Sequence, residues 1–93
     1  MKYRLTARAA RDLRNIADFL DEQNPAAAAR VLARLERTLE LIATAPTIGR
    51  VSARPGTREF PVGRFPFLVV YRIEEAQVSV LTIFHTSRNP AEK

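Results

Sequence analysis

The sequence of 93 residues contains no cysteine and no tryptophan, and His85 is its single histidine. Without thiols the chain forms neither disulfides nor thiolate metal sites, and one histidine without a cluster of Asp or Glu residues does not complete a transition-metal site. A glycine-rich phosphate loop is also missing. We therefore expect no bound metal and no cofactor, and the composition suits a reducing cytosol.

Long apolar runs are missing as well. No segment approaches the ~20 apolar residues of a membrane span, and Arg8, Arg11 and Arg14 follow the N-terminus too closely for a secretory signal. We expect a cytoplasmic protein with a single domain over residues 1–93. A chain this short buries only about 60–65% of the surface that its unfolded form exposes, so a partner can matter for its stability.

Positive charge is abundant, and arginine supplies nearly all of it. The chain has 15 Lys and Arg against 10 Asp and Glu, a formal net charge of +5, and all but two of the cations are arginine. The planar guanidinium binds carboxylates and phosphates in bidentate fashion and desolvates more readily than an ammonium. The bias indicates an acidic partner, although nucleotide bias in a genome also produces arginine-rich chains.

The N-terminal half predicts one short strand and two helices. Residues 2–5 predict the strand, and Thr6 offers a cap for a helix that begins at Ala7. Asn24 and Pro25 mark a boundary, because Pro25 suits the first position of a helix that Asn24 caps. This second helix is predicted to end near Thr44. Since the link is so short, the helices are expected to form an antiparallel hairpin. The apolar positions that predict their inner faces are Ala9, Leu13, Ile16, Ala17 and Leu20, then Ala28, Val31, Leu32, Leu35, Leu39 and Ile42.

Charged side chains occupy the outer faces of both helices. Asp12 and Asp18 each follow an arginine by four residues, which predicts surface ion pairs that contribute a few tenths of a kcal/mol. On the second helix Arg30, Arg34 and Arg37 share a face. This row is either a ridge that tracks phosphates or, as is more common for a helical charge row, a solvated face.

The C-terminal half predicts strands. Pro46 ends the second helix and Gly49 tolerates a positive φ in the turn that follows. Residues 58–62 predict a brief strand in which Pro61 favours an edge or a bulge, and Gly63 begins a tight turn. Residues 65–73 and 77–85 are β-branched and aromatic, and they predict the two strongest strands.

Strict alternation makes both faces of these two strands largely apolar. Two helices cover only one face of a small sheet, so Leu68, Val70, Leu81 and Ile83 are expected to need another cover. The pattern does not settle which face meets the helices. In either case it predicts a hydrophobic partner surface.

His85 is the side chain suited to proton transfer near neutral pH. Beside Arg58, Arg72 and Arg88 it would be able to act on a phosphodiester, with the arginines stabilising the developing charge. The alternative is a structural histidine at the end of a strand, which is the more common case.

Short motifs recur in a fixed order along the chain. They run from Tyr3-Arg4-Leu5-Thr6 through Pro46-Thr47-Ile48-Gly49-Arg50, Gly56-Thr57-Arg58-Glu59-Phe60 and Val70-Tyr71-Arg72-Ile73 to His85-Thr86-Ser87-Arg88. Their order and spacing resemble the ParE branch of the RelE/ParE superfamily, the toxins of type II toxin-antitoxin systems. The resemblance implies an α+β fold of the order βααβββ, with a helical hairpin packed on one face of a small antiparallel sheet. It also implies a cognate ParD-like antitoxin whose acidic, apolar C-terminal segment wraps the toxin.

Two activities are found within this superfamily. RelE-like members cleave messenger RNA on the ribosome with a basic cluster, whereas ParE-like members inhibit DNA gyrase by binding. The RNase branch tends to place an arginine where this chain has Leu68, and no tyrosine follows Tyr71. His85, Arg58 and Arg88 therefore form only a partial RNase set, and the loss of one charge-stabilising donor typically costs ~10² to 10³ in rate.

We expect a gyrase-binding toxin without catalytic residues. The expected contacts to antitoxin or target are the cations Arg58, Arg72 and Arg88 and the apolar residues Leu68, Val70, Leu81 and Ile83. Two alternatives remain, an mRNA endonuclease that uses His85, Arg58 and Arg88, and a degenerate, non-toxic module that only binds an antitoxin or contacts nucleic acid through its arginines.

Overall fold

The two helices begin where their capping residues predict. In the computed structural model, which describes residues 1–86, the Thr6 hydroxyl accepts a hydrogen bond of 3.2 Å from the Ala9 amide. The Asn24 side chain accepts hydrogen bonds from two amides in the first turn of the second helix, at 3.1 and 3.2 Å. The elements are β1 (Lys2–Leu5), α1 (Ala7–Gln23), α2 (Pro25–Thr44), a 3₁₀ turn (Pro46–Ile48), β2 (Arg50–Val51), β3 (Arg58–Pro61), β4 (Phe67–Ile73) and β5 (Gln77–His85).

The strands form one five-stranded sheet in the order β1-β5-β4-β3-β2. The α+β class and the helical hairpin packed on a sheet are confirmed. The sheet is mixed, because β1 runs parallel to its neighbour β5 while the other pairs are antiparallel. The strand β2 was not predicted, since its two residues carry too little sequence signal and its pairing is set by β3.

The main core lies between the hairpin and one face of the sheet. Helix α2 contributes most of the helical side of this core, and α1 adds the buried Ala9 with half-buried leucines and an isoleucine. In the described residues no helix is long and apolar enough to span a bilayer. The buried members of this core are Ala9, Val31, Leu35, Leu39, Ile42, Val62, Phe67, Val69, Tyr71, Val78, Val80 and Ile83.

A β-bulge at Leu81 changes which side chains share a face. Val70 pairs with Thr82 and Tyr71 with Val80, so Leu81 has no partner on β4. Strict alternation fails at this point. Ile83 consequently faces the helices, and only 2% of its surface is exposed.

The prediction of an uncovered apolar face is therefore wrong. Leu68 and Val70 do lie on the face opposite the helices, where they join Phe84 in a separate small cluster, but they are 8% and 1% exposed. Leu81 is half-buried in the bulge and Ile83 belongs to the helix-side core. The four residues do not form one open surface.

Candidate functional site

The turn at residues 46–50 is fixed by a buried tyrosine. The Tyr71 hydroxyl donates a hydrogen bond of 2.6 Å to the Pro46 carbonyl and accepts one of 2.9 Å from the Gly49 amide. The predicted reason for Gly49 is wrong, because its φ is −74°. Glycine is needed for space, since a Cβ there would collide with the Tyr71 hydroxyl and lie 2.9 Å from the Glu59 carbonyl oxygen.

Arg58 serves the same turn. It stands opposite Tyr71 on the neighbouring strand, and its guanidinium donates a hydrogen bond of 2.8 Å to the Gly49 carbonyl. Burial raises the pKa of Tyr71 above 10.0, and the Gly49 hydrogen bond and the Arg58 charge only partly oppose this. The Tyr71 hydroxyl and the Arg58 guanidinium both bond the backbone of this turn, so neither is arranged as a free acid or cation at an open site.

His85 lies elsewhere in the sheet. It pairs with Phe67 across β4 and β5, and the two rings meet edge to face with centroids 5.4 Å apart. Arg58 is two strands away and four residues further along, which corresponds to about 16 Å between Cα atoms. The structure therefore does not bring His85 and Arg58 together, and Arg88 lies outside the described residues.

Arg72 is exposed on the face opposite the helices, across from Ser79. The buried Ser79 hydroxyl donates a hydrogen bond of 2.6 Å to Glu74 and accepts one of 2.9 Å from Arg4. That bond from Ser79 is the main reason why the pKa of Glu74 lies below 4.5, with smaller contributions from Gln77 and the charges of Arg4 and Arg72. The cluster thus keeps an ionised carboxylate between two arginines.

Replacing Ser79 by alanine is expected to raise the pKa of Glu74 toward 4.5, since the largest stabilising bond to the carboxylate is removed. Because the folded-state pKa is depressed, this carboxylate stabilises the fold above pH 4.5, and the contribution is lost as the pH falls through the folded-state pKa. NMR titration of the Glu74 carboxyl carbon measures the change. Gln77→Ala is the matched control and should move the pKa less, because its bond is 3.5 Å long. Equal shifts in both variants would contradict the assignment.

An apolar groove of about 470 Å³ opens between the helical hairpin and the ends of β4 and β5. We call it the hairpin groove. Phe19 stands at its mouth with 60% of its surface exposed. Phe19 was not predicted as a contact, although an aromatic side chain outside the apolar stripe of a helix was the available signal. The lining of the hairpin groove includes Ile16, Phe19, Leu20, Val31, Phe67 and His85.

Asp12 closes the edge of β5 beside this groove. Strand β1 stops at Leu5, opposite Val80, so the edge beyond is open. The Asp12 carboxylate accepts hydrogen bonds from the Thr82 hydroxyl at 2.6 Å and from the Ile83 amide at 3.1 Å. The predicted surface role of Asp12 is therefore incomplete, because this residue joins α1 to the sheet. Ile83 lines the groove directly.

Known toxins resemble this chain over most of its length. Residues 3–90 match the family model described as the ParE toxin of the type II toxin-antitoxin system parDE. The chain is 36% identical to "Putative toxin Y4kP" of Sinorhizobium fredii, over 90% of this chain and 86% of that protein. It is 37% identical to "Toxin RelE1" of Caulobacter vibrioides, over 87% and 88% of the two chains.

A solved structure shares the fold. A chain from the chromosomal ParDE toxin-antitoxin system of P. aeruginosa superposes with a TM-score of 0.83 at 24% identity, covering 94% of this chain and 97% of that one. The hairpin and sheet described above thus correspond to a known architecture.

Proposed function

Because the chain belongs to the ParE toxin family of type II toxin-antitoxin systems, we propose that it inhibits DNA gyrase by binding and that a ParD-like antitoxin neutralises it. The observation that carries the binding mechanism is the separation of Arg58 and His85. These residues lie about 16 Å apart by strand geometry, and the Arg58 guanidinium already bonds the Gly49 carbonyl. Such an arrangement favours binding over phosphodiester cleavage, which needs an acid and a cation within reach of one phosphate.

The hairpin groove supports an antitoxin partner. It is mostly apolar, it is open, and Phe19 offers a large side chain that a partner would bury. An amphipathic segment that lays its apolar face into a groove is a common mode of peptide recognition. Of the residues predicted for binding, Ile83 is in the lining of this groove, but only 2% of its surface is exposed, so we assign the antitoxin contact to the exposed Phe19.

The remaining predicted contacts differ in how much of each side chain is exposed to a partner. Arg72 is exposed and adds to the positive charge that would attract an acidic antitoxin segment. Arg58, Leu68, Val70 and Leu81 would contact a partner only at their exposed edges, since each is at least half-buried. We keep Arg72 as the leading electrostatic contact.

A supercoiling assay with purified gyrase tests the function. We expect the purified protein to reduce supercoiling, and we expect the product of a short neighbouring gene with an acidic tail to restore it. Phe19→Ser should retain inhibition but respond less to that antitoxin, since it removes the exposed apolar contact in the groove. Normal supercoiling with cleaved transcripts would instead support an mRNA endonuclease. Growth without any defect on expression would support a non-toxic binding module.

A further inference from the structure

A second surface lies at the opposite edge of the sheet. A groove of about 490 Å³ runs between α2 and β3, and another of about 470 Å³ lies beside β2. The two share Phe60 and Pro61 in their linings, so they adjoin at the edge strand β3, the first on its helix side and the second on the face that carries Leu68. We call the two together the edge surface, and the residues that define it are Arg34, Arg37, Leu41, Ile48, Phe60 and Pro61.

Apolar side chains are exposed on this surface and are held in place. Leu41 and Ile48 are 44% and 42% exposed. Ile48 belongs to the 3₁₀ turn that Tyr71 fixes through the Pro46 carbonyl and the Gly49 amide. A partner would therefore meet a surface that is already ordered, which reduces the entropy cost of binding.

The charge around these apolar residues is positive. Arg34 and Arg37 line the α2 side, and Glu40 is the only carboxylate there. On the β2 side the Glu59 carboxylate is 3% exposed and is paired with Arg50 at 2.6 Å. The net field of the surface therefore favours a partner that carries carboxylates.

Three other occupants fit less well. A second copy of this chain would set arginines against arginines in a protein of net charge +5. A nucleic acid would leave the exposed apolar side chains without matching contacts. An added β-strand finds no N–H donor at Pro61, where β3 extends past β2.

We propose that the edge surface binds the protein target of the toxin, through a target site that presents carboxylates around apolar side chains. This inference rests on the proposed function, because it requires a target separate from the antitoxin. The hairpin groove and the edge surface share no lining residue. On α2 the groove uses Ala27 and Val31 and the edge surface begins one turn later at Arg34, so Leu41 lies about 15 Å from Val31 along the helix axis.

The test compares two charge reversals on the same helix. Arg37→Glu changes the edge surface, whereas Arg30→Glu is the matched control, because Arg30 is also exposed and lines neither surface. With purified gyrase as the probe, we expect Arg37→Glu to raise the concentration for half-maximal inhibition at least about tenfold, and Arg30→Glu to change it less than about twofold. Both variants should still bind the antitoxin. Leu41→Gln should also weaken inhibition.

The outcomes separate this inference from the proposed function. If the wild type inhibits gyrase and Arg37→Glu and Leu41→Gln inhibit equally well, the edge surface is not the target site. If the wild type arrests growth without affecting supercoiling, gyrase is not the target, and the same variants scored by growth arrest test the edge surface. Equal arrest by all variants would overturn it. Self-association or nucleic-acid binding that Arg37→Glu abolishes would also overturn it, as would a wild type without any toxicity.

Discussion

Replacing Tyr71 by phenylalanine is expected to lower the free energy of unfolding by about 2–4 kcal/mol, because two buried backbone groups lose their partner. The hydroxyl is the acceptor for the Gly49 amide and the donor to the Pro46 carbonyl. The change removes one oxygen and leaves the ring, so the core keeps its apolar contacts. A domain of this length has a total stability of only about 5–14 kcal/mol, so the loss is a large share.

Urea unfolding followed by circular dichroism measures this loss as a lower midpoint with an unchanged slope. Tyr3→Phe is the matched control, because Tyr3 is half-buried at the rim of the same core, and it should change stability by less than about 0.5 kcal/mol. Equal midpoints for wild type and Tyr71→Phe would mean that the two hydrogen bonds of the Tyr71 hydroxyl do not stabilise the fold. A change in the slope would mean that the surface exposed on unfolding had changed.

The same hydroxyl determines behaviour at high pH. Burial raises the folded-state pKa of Tyr71 above 10.0, so the unfolded chain loses this proton first. The corresponding stability is full below pH 10 and is lost as the pH rises through the folded-state pKa. Tyr71→Phe should therefore show a smaller loss of stability over that alkaline range than the wild type.

The sequence predicts the helices well because their signals are local. Thr6 and Asn24 each bond amides two or three residues away, and Pro25 occupies the first helical position. These signals do not depend on the rest of the chain. The bounds of α2 and β5 were correct for the same reason, since long periodic segments carry the strongest pattern.

The bulge at Leu81 illustrates what the sequence does not contain. The Thr6 hydroxyl donates to the carbonyls of Val80 and Leu81, at 2.9 and 3.2 Å, although it is more than seventy residues away in the chain. These contacts depend on β1 lying beside β5. Alternation along β5 alone therefore grouped Ile83 with Leu81 on one face, whereas the bulge turns Ile83 toward the helices.

The candidate site was predictable in composition but not in geometry. Arg58 and His85 were predicted as site residues because their side chains suit charge stabilisation and proton transfer. The hydrogen bond from Arg58 to the Gly49 carbonyl was not predictable, because that contact depends on how the turn folds against β3. Phe19 was overlooked because it lies off the apolar stripe that predicts the helix core, and the groove that gives this aromatic side chain a role forms only when the helices pack on the sheet.

Asp12→Ala is expected to destabilise the fold by about 2–4 kcal/mol, because two hydrogen bonds to a charged group are lost, and each contributes at most about 1.5–3 kcal/mol and less at a half-buried carboxylate that water screens. The Thr82 hydroxyl and the Ile83 amide would both lose their acceptor at the edge of β5. From sequence, Asp12 and Asp18 are equivalent, since each follows an arginine by four residues. The structure makes them different, because Asp18 is exposed on the outer side of α1.

Asp18→Ala is therefore the matched control and should change the free energy of unfolding by less than about 0.5 kcal/mol. Asp12→Asn should lie between the two, since an amide oxygen still accepts a hydrogen bond but carries no charge. Urea unfolding gives the stabilities, and hydrogen exchange at the Ile83 amide reports the local effect, with faster exchange expected in Asp12→Ala than in Asp18→Ala. If the two alanine variants were equally stable and exchanged alike, Asp12 would be only a surface charge, and the edge of β5 beside the hairpin groove would be held by apolar packing alone.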